Sequence, residues 1–396
     1  MLRKTITKFS SRDFAALLLC LIFAACFAAF AQQSFERVRP SDYAGDDKCV
    51  SCHKDQKTFR ATAHYLTSLP PSKDSIAGKF NKGENILRTS NPDLIYRMEA
   101  TKDGFYQTAV LGTPPDTASL SKRFDFVIGS GRKGQTYLYW ESQRLFQLPV
   151  SYWTDVRKWI NSPGYEDGDL NFGRPVPPRC LECHASYFES VSESGNGNRY
   201  NKANYVLGIS CARCHGPGQD HAADQISKAA KSSGQAIINP AKLSRARQVE
   251  ACALCHGGIG VTKVPSFSYV PGKPLDDYIH RGVPGKDEVV DVHGNQVALL
   301  ERSRCFQSSN MTCSTCHNVH VPQRNAAAFT RSCLSCHKVE SCRLFPKQGH
   351  RIAENCVDCH MPKLTSKSVV STSEGRTMQP QVRTHWIKVY KGGNNP

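Results

Sequence analysis

Residues 313–360 read CSTCHNVHVPQRNAAAFTRSCLSCHKVESCRLFPKQGHRIAENCVDCH, and one five-residue pattern occurs three times in this stretch. In each copy two cysteines are separated by two residues, and a histidine follows the second cysteine directly. Four more copies lie upstream. The chain therefore contains seven Cys-x-x-Cys-His motifs, numbered here in chain order: Cys49/Cys52/His53, Cys180/Cys183/His184, Cys211/Cys214/His215, Cys252/Cys255/His256, Cys313/Cys316/His317, Cys333/Cys336/His337 and Cys356/Cys359/His360.

This motif is the attachment signature of c-type haem. Two thiols at this spacing add across the two vinyl groups of one porphyrin, and the adjacent imidazole then binds the iron as its proximal ligand. Zinc ribbons also pair such cysteines, but they do not require a histidine after each pair. Histidine is 14 of 396 residues, so the odds that chance places it after all seven pairs are on the order of 10⁻¹⁰. The sequence predicts seven covalently attached haems c.

Seven histidines lie outside the motifs, which equals the number of predicted irons. We expect them to be distal ligands in mostly bis-histidine coordination, which keeps haem potentials low. A histidine close to one motif is expected to serve another haem, because a short backbone cannot reach the opposite face of its own porphyrin. Which histidine serves which iron stays open. These candidates are His64, His221, His320, His350 and His385 and, in a long connecting segment, His280 and His293.

Methionine is the alternative distal ligand, and Met361 directly follows a proximal histidine, where it is badly placed to reach the far side of that iron. Cys305 and Cys342 belong to no motif. In an oxidising compartment they are compatible with a disulfide and equally with two buried free thiols.

The first residues predict export. A basic start is followed by the apolar run AALLLCLIFAACFAAFA (residues 15–31), which ends in the small-residue site Ala29-Phe30-Ala31. This is the pattern of a secretory signal peptide at 1–31 with cleavage after Ala31. An uncleaved anchor and, with a poorer match, lipidation of Cys26 are the alternatives. We expect a periplasmic or secreted protein that contacts a membrane only through this signal or a lipid anchor.

The formal net charge is +17, and +14 remains without residues 1–31, which carry four basic residues and one acidic residue. Each haem brings two propionates, so the basic excess is interpreted as their compensation. No basic stripe with interleaved aromatic residues indicates nucleic-acid binding.

The motifs divide the chain into segments. Residues 85–160 form a haem-free gap in which IYRMEAT, GFYQTAVL, RFDFVIGSG, QTYLYW and LFQLPVSYW predict strands. Ser130-Gly131-Arg132-Lys133-Gly134 is predicted as a hairpin turn rather than a phosphate loop, since no helix follows it. Helices are predicted around His64 and at ISKAAKSSGQAI. The expected segments are 1–31 (signal), 41–84 (first haem), 85–160 (strand-rich domain), 175–262 (haems two to four), 263–304 (connection) and 305–390 (haems five to seven).

CHGPGQDH, CSTCHNVH and CVDCHMPK, followed later by His385, resemble elements of the multihaem cytochrome c superfamily. That group includes tetrahaem cytochromes c, pentahaem nitrite reductases, hydroxylamine oxidoreductase and octahaem tetrathionate reductases. The resemblance covers about 175–390. It implies a mainly α and irregular fold wrapped on a haem stack, here with the strand-rich insertion at about 85–160, and it implies electron transfer by bis-histidine haems.

Two functions follow as hypotheses. The first is an electron carrier that works by hopping between haems and exchanges electrons with a quinol dehydrogenase or other cytochromes. The second is an oxidoreductase acting on a small nitrogen or sulfur compound at a five-coordinate haem. Against the second, the chain has no Cys-x-x-Cys-Lys motif, by which pentahaem nitrite reductases mark their active haem, and no catalytic residue is predicted. A third class is a structural component of an electron conduit.

Overall fold

The computed structural model describes residues 39–192, 197–227, 237–282, 284–285 and 287–390. The predicted signal peptide, its cleavage site and Cys26 lie outside these residues, as does most of the helix predicted at ISKAAKSSGQAI. In the described ranges no helix has both the length and the apolar character needed to cross a bilayer.

The helices are short. The longest in the described ranges is α5, in which the Ser244 hydroxyl caps the first turn by accepting a hydrogen bond from the Arg247 backbone N–H. The α-helices are α1 (Asp46–Cys52), α2 (Pro178–Glu182), α3 (Cys211–His215), α4 (Gln219–Ser227), α5 (Arg245–His256), α6 (Gln296–Glu301), α7 (Arg304–Gln307), α8 (Ala326–Leu334), α9 (Phe345–Gln348) and α10 (Val357–His360). Single 3-10 turns or short 3-10 helices lie at Pro40–Asp42, Lys54–Ala61, Tyr65–Thr67, Pro240–Lys242, Leu275–Asp277, Cys313–Thr315, Val339–Ser341 and Gly349–Glu354.

Every motif lies in or at the end of one of these helices. A helical turn places residues i, i+3 and i+4 on one face, so both thiols and the imidazole point the same way. The backbone N–H of the motif histidine donates to the carbonyl of the first cysteine at His53, His317, His337 and His360, with N···O distances of 2.9–3.1 Å. Local backbone hydrogen bonds therefore form the attachment turn in these four motifs.

Two antiparallel sheets form the strand-rich region. The first has the order β1-β6-β7-β9-β10, with β8 paired to β7, and the second has the order β2-β3-β4-β5. Their strands are β1 (Ser68–Leu69), β2 (Ile86–Arg88), β3 (Leu94–Thr101), β4 (Gly104–Thr113), β5 (Asp116–Arg123), β6 (Phe126–Ile128), β7 (Gly134–Glu141), β8 (Arg144–Gln147), β9 (Val150–Trp153) and β10 (Lys158–Asn161).

Side chains of both sheets share one core, which includes the fully buried Tyr96, Met98 and Tyr137. The buried Gln107 side chain on β4 bridges the sheets because its amide donates to the Val150 carbonyl and accepts from the Val150 N–H, at 3.1 and 2.9 Å. This region thus has a conventional interior made of amino-acid side chains.

The predicted strands are present with three differences. LFQLPVSYW is split into β8 and β9 at Pro149, whose nitrogen cannot donate a ladder hydrogen bond. RFDFVIGSG contributes Phe126–Ile128 and, at Arg123, the end of β5. Strands β1, β2, β5 and β10 were not predicted. The predicted hairpin turn at 130–134 is confirmed, since β6 and β7 pair antiparallel on either side of it.

Strands also occur outside the strand-rich region, so the chain contains more strand than the expected mainly α and irregular fold. The further strands form two-stranded pairs that follow or flank motifs: β11 (Ala185–Ser190) with β12 (Tyr200–Leu207), β13 (Val261–Thr262) with β14 (Ile279–His280), β15 (Lys363–Thr365) with β18 (Gln381–Arg383), and β16 (Ser371–Ser373) with β17 (Arg376–Met378). These pairs are short, and β11–β12 is interrupted by register shifts, so they lack the alternation by which a strand is recognised in sequence.

The helix predicted around His64 is not formed as an α-helix. His64 lies in the turn between two 3-10 helices, Lys54–Ala61 and Tyr65–Thr67. Its carbonyl accepts a hydrogen bond from Ile209 N–H at 3.0 Å. Gly208 packs so closely that a Cβ there would lie 2.2 Å from the Tyr65 carbonyl oxygen. This contact with a distant part of the chain fixes the turn.

Candidate haem-binding site

A large cavity collects the last three motifs. Its volume is about 2500 Å³, well above the ~300–1,000 Å³ of an ordinary small-molecule pocket. It is lined by the thiol and imidazole residues of motifs five to seven and by the histidine of motif two: Cys313, Cys316, His317, Cys333, Cys336, His337, Cys356, Cys359, His360 and His184. The space therefore suits several large planar cofactors rather than one metabolite.

The same cavity is strongly basic. No aspartate or glutamate lines it within the described residues, whereas eleven cationic side chains do: Arg132, Lys133, Arg174, Arg302, Arg304, Arg324, Lys338, Arg343, Lys363, Arg383 and Lys388. Such a wall attracts anionic groups and matches the propionates that porphyrins would bring.

Four motif histidines each face a second histidine at a similar separation. The ring centres are 6.5 Å apart for His53 and His221, 6.1 Å for His215 and His320, 6.1 Å for His256 and His64, and 6.2 Å for His317 and His385. In each pair one partner follows a Cys-x-x-Cys sequence and the other is a predicted distal ligand.

This separation has a chemical meaning. Imidazole nitrogens lie about 2 Å from a bound metal ion, and the ring centre lies about 1 Å behind the nitrogen, so two imidazoles on opposite sides of one ion have centres about 6 Å apart. His221 follows motif three but faces the histidine of motif one, and His320 follows motif five but faces that of motif three. The fold thus places a histidine that follows one motif in sequence against the histidine of a different motif.

In two motif histidines a hydrogen bond from Nδ1 to a backbone carbonyl orients the imidazole ring. Nδ1 of His215 lies 2.9 Å from the Ile238 carbonyl oxygen, and Nδ1 of His360 lies 3.0 Å from the Lys388 carbonyl oxygen. A carbonyl oxygen only accepts, so Nδ1 carries the proton and Nε2 is left with its lone pair free for a metal.

In two further motif histidines, Nδ1 lies beside an oxygen atom of a side chain. Nδ1 of His184 lies 3.2 Å from the Thr67 hydroxyl, and Nδ1 of His256 lies 3.2 Å from Oε1 of Gln296. Thr67 follows His64 in the same turn, so the segment at 64–68 contacts two motif histidines.

Burial favours the neutral form of five histidines at the site. Desolvation, together with neighbouring histidines, lowers the pKa of His64, His184 and His385 to about 4. Desolvation likewise lowers the pKa of His256 and His317. A neutral imidazole is the form that binds a metal, so the environment favours ligation.

Thiols, neutral imidazoles and a basic chamber of this volume together fit covalently bound haem c. The comparisons agree with that chemistry. A family profile described as cytochrome c554 and c-prime matches residues 166–216, which contain motifs two and three. Together with the likenesses given next, this match supports a multihaem cytochrome c family for the chain.

Two known proteins are similar to this chain, one in sequence and one in fold. Dissimilatory sulfite reductase MccA of Wolinella succinogenes is 21% identical over 395 residues, which are 83% of this chain and 51% of that protein. The chain therefore spans about half the length of this curated relative. The crystal structure of the outer cell wall cytochrome OcwA superposes with a TM-score of 0.55 at 16% identity and covers 88% of this chain and 80% of that one. At this identity the likeness shows the fold alone.

Thiols of different motifs are also in contact. A hydrogen bond from Cys211 lowers the pKa of the Cys49 thiol to about 7, and one from Cys255 does the same for Cys183. Asp46, Cys49 and Cys211 also place one ligand atom each within 4.8 Å of the others. Because both cysteines belong to haem motifs, we interpret the cluster as neighbouring attachment points rather than a metal site. The thiol contacts join motifs one and three (Cys49, Cys211), two and four (Cys183, Cys255), and four and five (Cys252, Cys313).

Three motif histidines have no imidazole at this ring separation within the described residues: His184, His337 and His360. His293 is the candidate for His184, because both line the cavity, and the charge of His293 adds to desolvation in lowering the pKa of His184. His350 contacts the Phe345 ring at 5.2 Å, and His280 is exposed on β14. The structure does not bring these last two to a motif histidine, and their ligand role stays a prediction.

Cys305 and Cys342 are not bonded to each other, and both line the cavity. Both thiols are half-buried, so they do not match the two buried free thiols that the sequence left as the alternative to a disulfide.

Sequence reasoning missed a buried ionic network centred on Glu182, the residue before Cys183 of motif two. Its carboxylate accepts from Arg179 at 2.8 Å, pairs with Arg213 of motif three at 3.5 Å, and accepts the Phe267 N–H at 2.7 Å. Arg179 also donates to the Leu254 carbonyl of motif four at 2.7 Å. The network ties three motifs together. Glu182 and Arg213 occupy variable positions inside their Cys-x-x-Cys pairs and Arg179 directly precedes motif two, and the sequence analysis did not use these positions.

Proposed function

We propose that this chain is an exported heptahaem cytochrome c that conducts electrons between redox partners by hopping among its haems. The observation that carries the proposal is the set of four proximal–distal histidine pairs with ring centres 6.1–6.5 Å apart. Six-coordinate iron exchanges electrons with little change of ligation and leaves no position for a substrate. Haem supplies the one-electron carrier, and bis-histidine ligation keeps its potential low.

The chain's own residues define a route. Thiol contacts link motif one to three, two to four and four to five. Electrostatic interactions connect Cys214 of motif three with Cys252 of motif four, and Cys316 and Cys356 with Cys333, which links motifs five, six and seven. Because each thiol is an attachment point, haems bound at neighbouring motifs would be attached close to one another. This order supports a continuous path, with motif two as a branch at motif four.

Electron paramagnetic resonance of the ferric protein, together with intact mass, tests the proposal. We expect seven haem additions and at least four low-spin irons. His221→Ala and His320→Ala should each convert one low-spin iron to high-spin, since each removes one distal imidazole. A mass short of seven haems, or low-spin signals unaffected by both variants, would contradict it.

A second candidate is reduction of a small sulfur or nitrogen oxyanion. It is favoured by the three motif histidines without a paired imidazole and by the likeness to a dissimilatory sulfite reductase. A high-spin ferric signal in the wild-type protein that shifts on addition of sulfite, with sulfite-dependent oxidation of the reduced protein, would support it. Low-spin signals alone would exclude it.

We further propose a periplasmic or cell-surface location, from the predicted signal peptide at 1–31. Detection of a mature protein starting at residue 32 in the periplasmic or surface fraction tests this location.

A further inference from the structure

The buried ionic network around Glu182 contains more positive than negative charge. Its one carboxylate serves two guanidinium groups, with Nη1 of Arg179 at 2.8 Å and Nη2 of Arg213 at 3.5 Å. Within the described residues neither arginine has another ion-pair partner. The side chains of Glu182, Arg213 and Arg179 are only 4%, 7% and 11% exposed. Two positive charges and one negative charge therefore leave a net charge of +1 that is sheltered from water.

The other contacts of the two arginines are with uncharged groups. Arg179 donates to the backbone carbonyls of Ile259 and Leu254, both at 2.7 Å. Arg213 donates to the backbone carbonyl of Glu182 at 3.2 Å, and its buried Nε has no acceptor within the described residues. Carbonyl dipoles orient guanidinium groups but carry no net charge, so these contacts leave the positive excess in place.

The members of the network lie at the attachment turns themselves. Glu182 is inside motif two and Arg213 is inside motif three, and each lies two residues before the histidine of its motif. Arg179 directly precedes motif two and contacts the Leu254 carbonyl inside motif four. The charge is therefore held beside the positions at which the proposed haems would be attached.

We propose that this network raises the midpoint potential of haems attached at motifs two and three, with Arg213 and Glu182 acting in opposite directions. Reduction of a ferric haem removes one positive charge from the iron centre. A fixed positive charge nearby, in surroundings of low dielectric constant, therefore favours the ferrous form, and a fixed negative charge favours the ferric form. Neither residue ligates iron, and both act on it through their charge. The inference rests on the haem content proposed above.

Potentiometric titration of the haem-loaded protein, followed by haem absorbance, tests the effect of the two charges. Arg213→Gln removes a positive charge and should lower at least one midpoint potential below its wild-type value. Glu182→Gln removes a negative charge and should raise at least one. Both variants break the same ion pair, so mere loosening of the network would shift the potentials in the same direction in both. Opposite shifts identify the charge as the cause.

Further variants separate charge from packing. Arg213→Lys keeps the positive charge and should stay closer to the wild-type potentials than Arg213→Gln does. The double variant Glu182→Gln/Arg213→Gln removes one charge of each sign and should bring the shifted potentials back toward the wild-type values. Arg97→Gln is the control, because Arg97 is 45% exposed in the strand-rich region and pairs there with Glu99. It should leave every potential unchanged.

Shifts of the same sign in Arg213→Gln and Glu182→Gln, or potentials that neither variant changes, would overturn the inference. Intact mass of the same preparations separates that result from failure of the proposed function. Seven haems with potentials insensitive to both variants would overturn the charge effect alone. Fewer than seven haems with opposite shifts would overturn the haem count alone.

Discussion

The strand-rich region and the C-terminal haem region have interiors of different kinds. In the sheets, side chains such as Leu94, Phe124 and Leu148 are completely buried. In the described part of 305–390, only Phe306 and Val357 are buried hydrophobic residues, although this segment has motifs five to seven. The difference indicates that the second region relies on cofactors for the apolar contacts that the first makes by itself.

The largest expected effect is that of withholding haem. Expression without haem attachment should leave 305–390 unfolded while 94–161 stays folded, because only the second segment has its own buried core. Limited proteolysis with cleavage sites mapped by mass spectrometry measures this. The haem-loaded protein is the control, and a haem-free protein protected throughout 305–390 would refute the comparison.

Glu182→Gln tests the buried ionic network, which is an interior made of side chains among motifs two to four. Removing this carboxylate leaves two buried guanidinium groups without their ionic partner, and we expect a loss of about 3–5 kcal/mol in the free energy of unfolding. Chemical denaturation followed by haem absorbance measures it. Glu84→Gln removes an exposed partner of Lys79 and should have no measurable effect. Equal midpoints for the two variants would rule out a stabilising role for the network.

Leu148→Ala should act on the strand-rich region alone. Leu148 is completely buried, so the cavity it leaves should lower the unfolding free energy by about 2–5 kcal/mol. The haem absorbance spectrum of the native protein should not change. Leu120→Ala is the control, because Leu120 is 43% exposed. A changed haem spectrum in Leu148→Ala would show that the two interiors are coupled.

His385→Ala should have the smallest effect on the free energy of unfolding. It should, however, change the spectrum of one haem. The variant removes the imidazole facing His317, so one ferric haem should change from low-spin to high-spin. Electron paramagnetic resonance measures it. Lys388→Ala in the same tail keeps the backbone carbonyl that orients His360 and should leave the spectrum unchanged. An unaltered spectrum in His385→Ala would remove this pair from the proposed ligand set.

The comparison also explains what the sequence could predict. The motifs are visible because two thiols and an imidazole must lie on one helical turn, which is a local requirement. Strands β3, β4 and β7 could be predicted because their sequences are rich in apolar residues that pack on a core of side chains. Strand β5 is exposed along most of its length, so no apolar period marks it.

The sequence gives the number of candidate distal histidines but not which motif histidine each of them faces. His64 meets His256 only because the turn at 64–68 is held against Gly208 and Ile209, a contact between distant segments. Similarly, the ionic network around Glu182 is hidden at positions that the motif leaves variable. Long-range contacts of this kind leave no periodic signal.

The wide separation of paired histidines along the chain has a consequence for biogenesis. In the proposed arrangement, a haem ligated to His53 lacks its sixth ligand until His221 has crossed the membrane, and one on His317 waits for His385 near the C-terminus. Each such haem would therefore lack its distal histidine until the distant segment that carries it had followed. A prematurely terminated polypeptide would remain in that state.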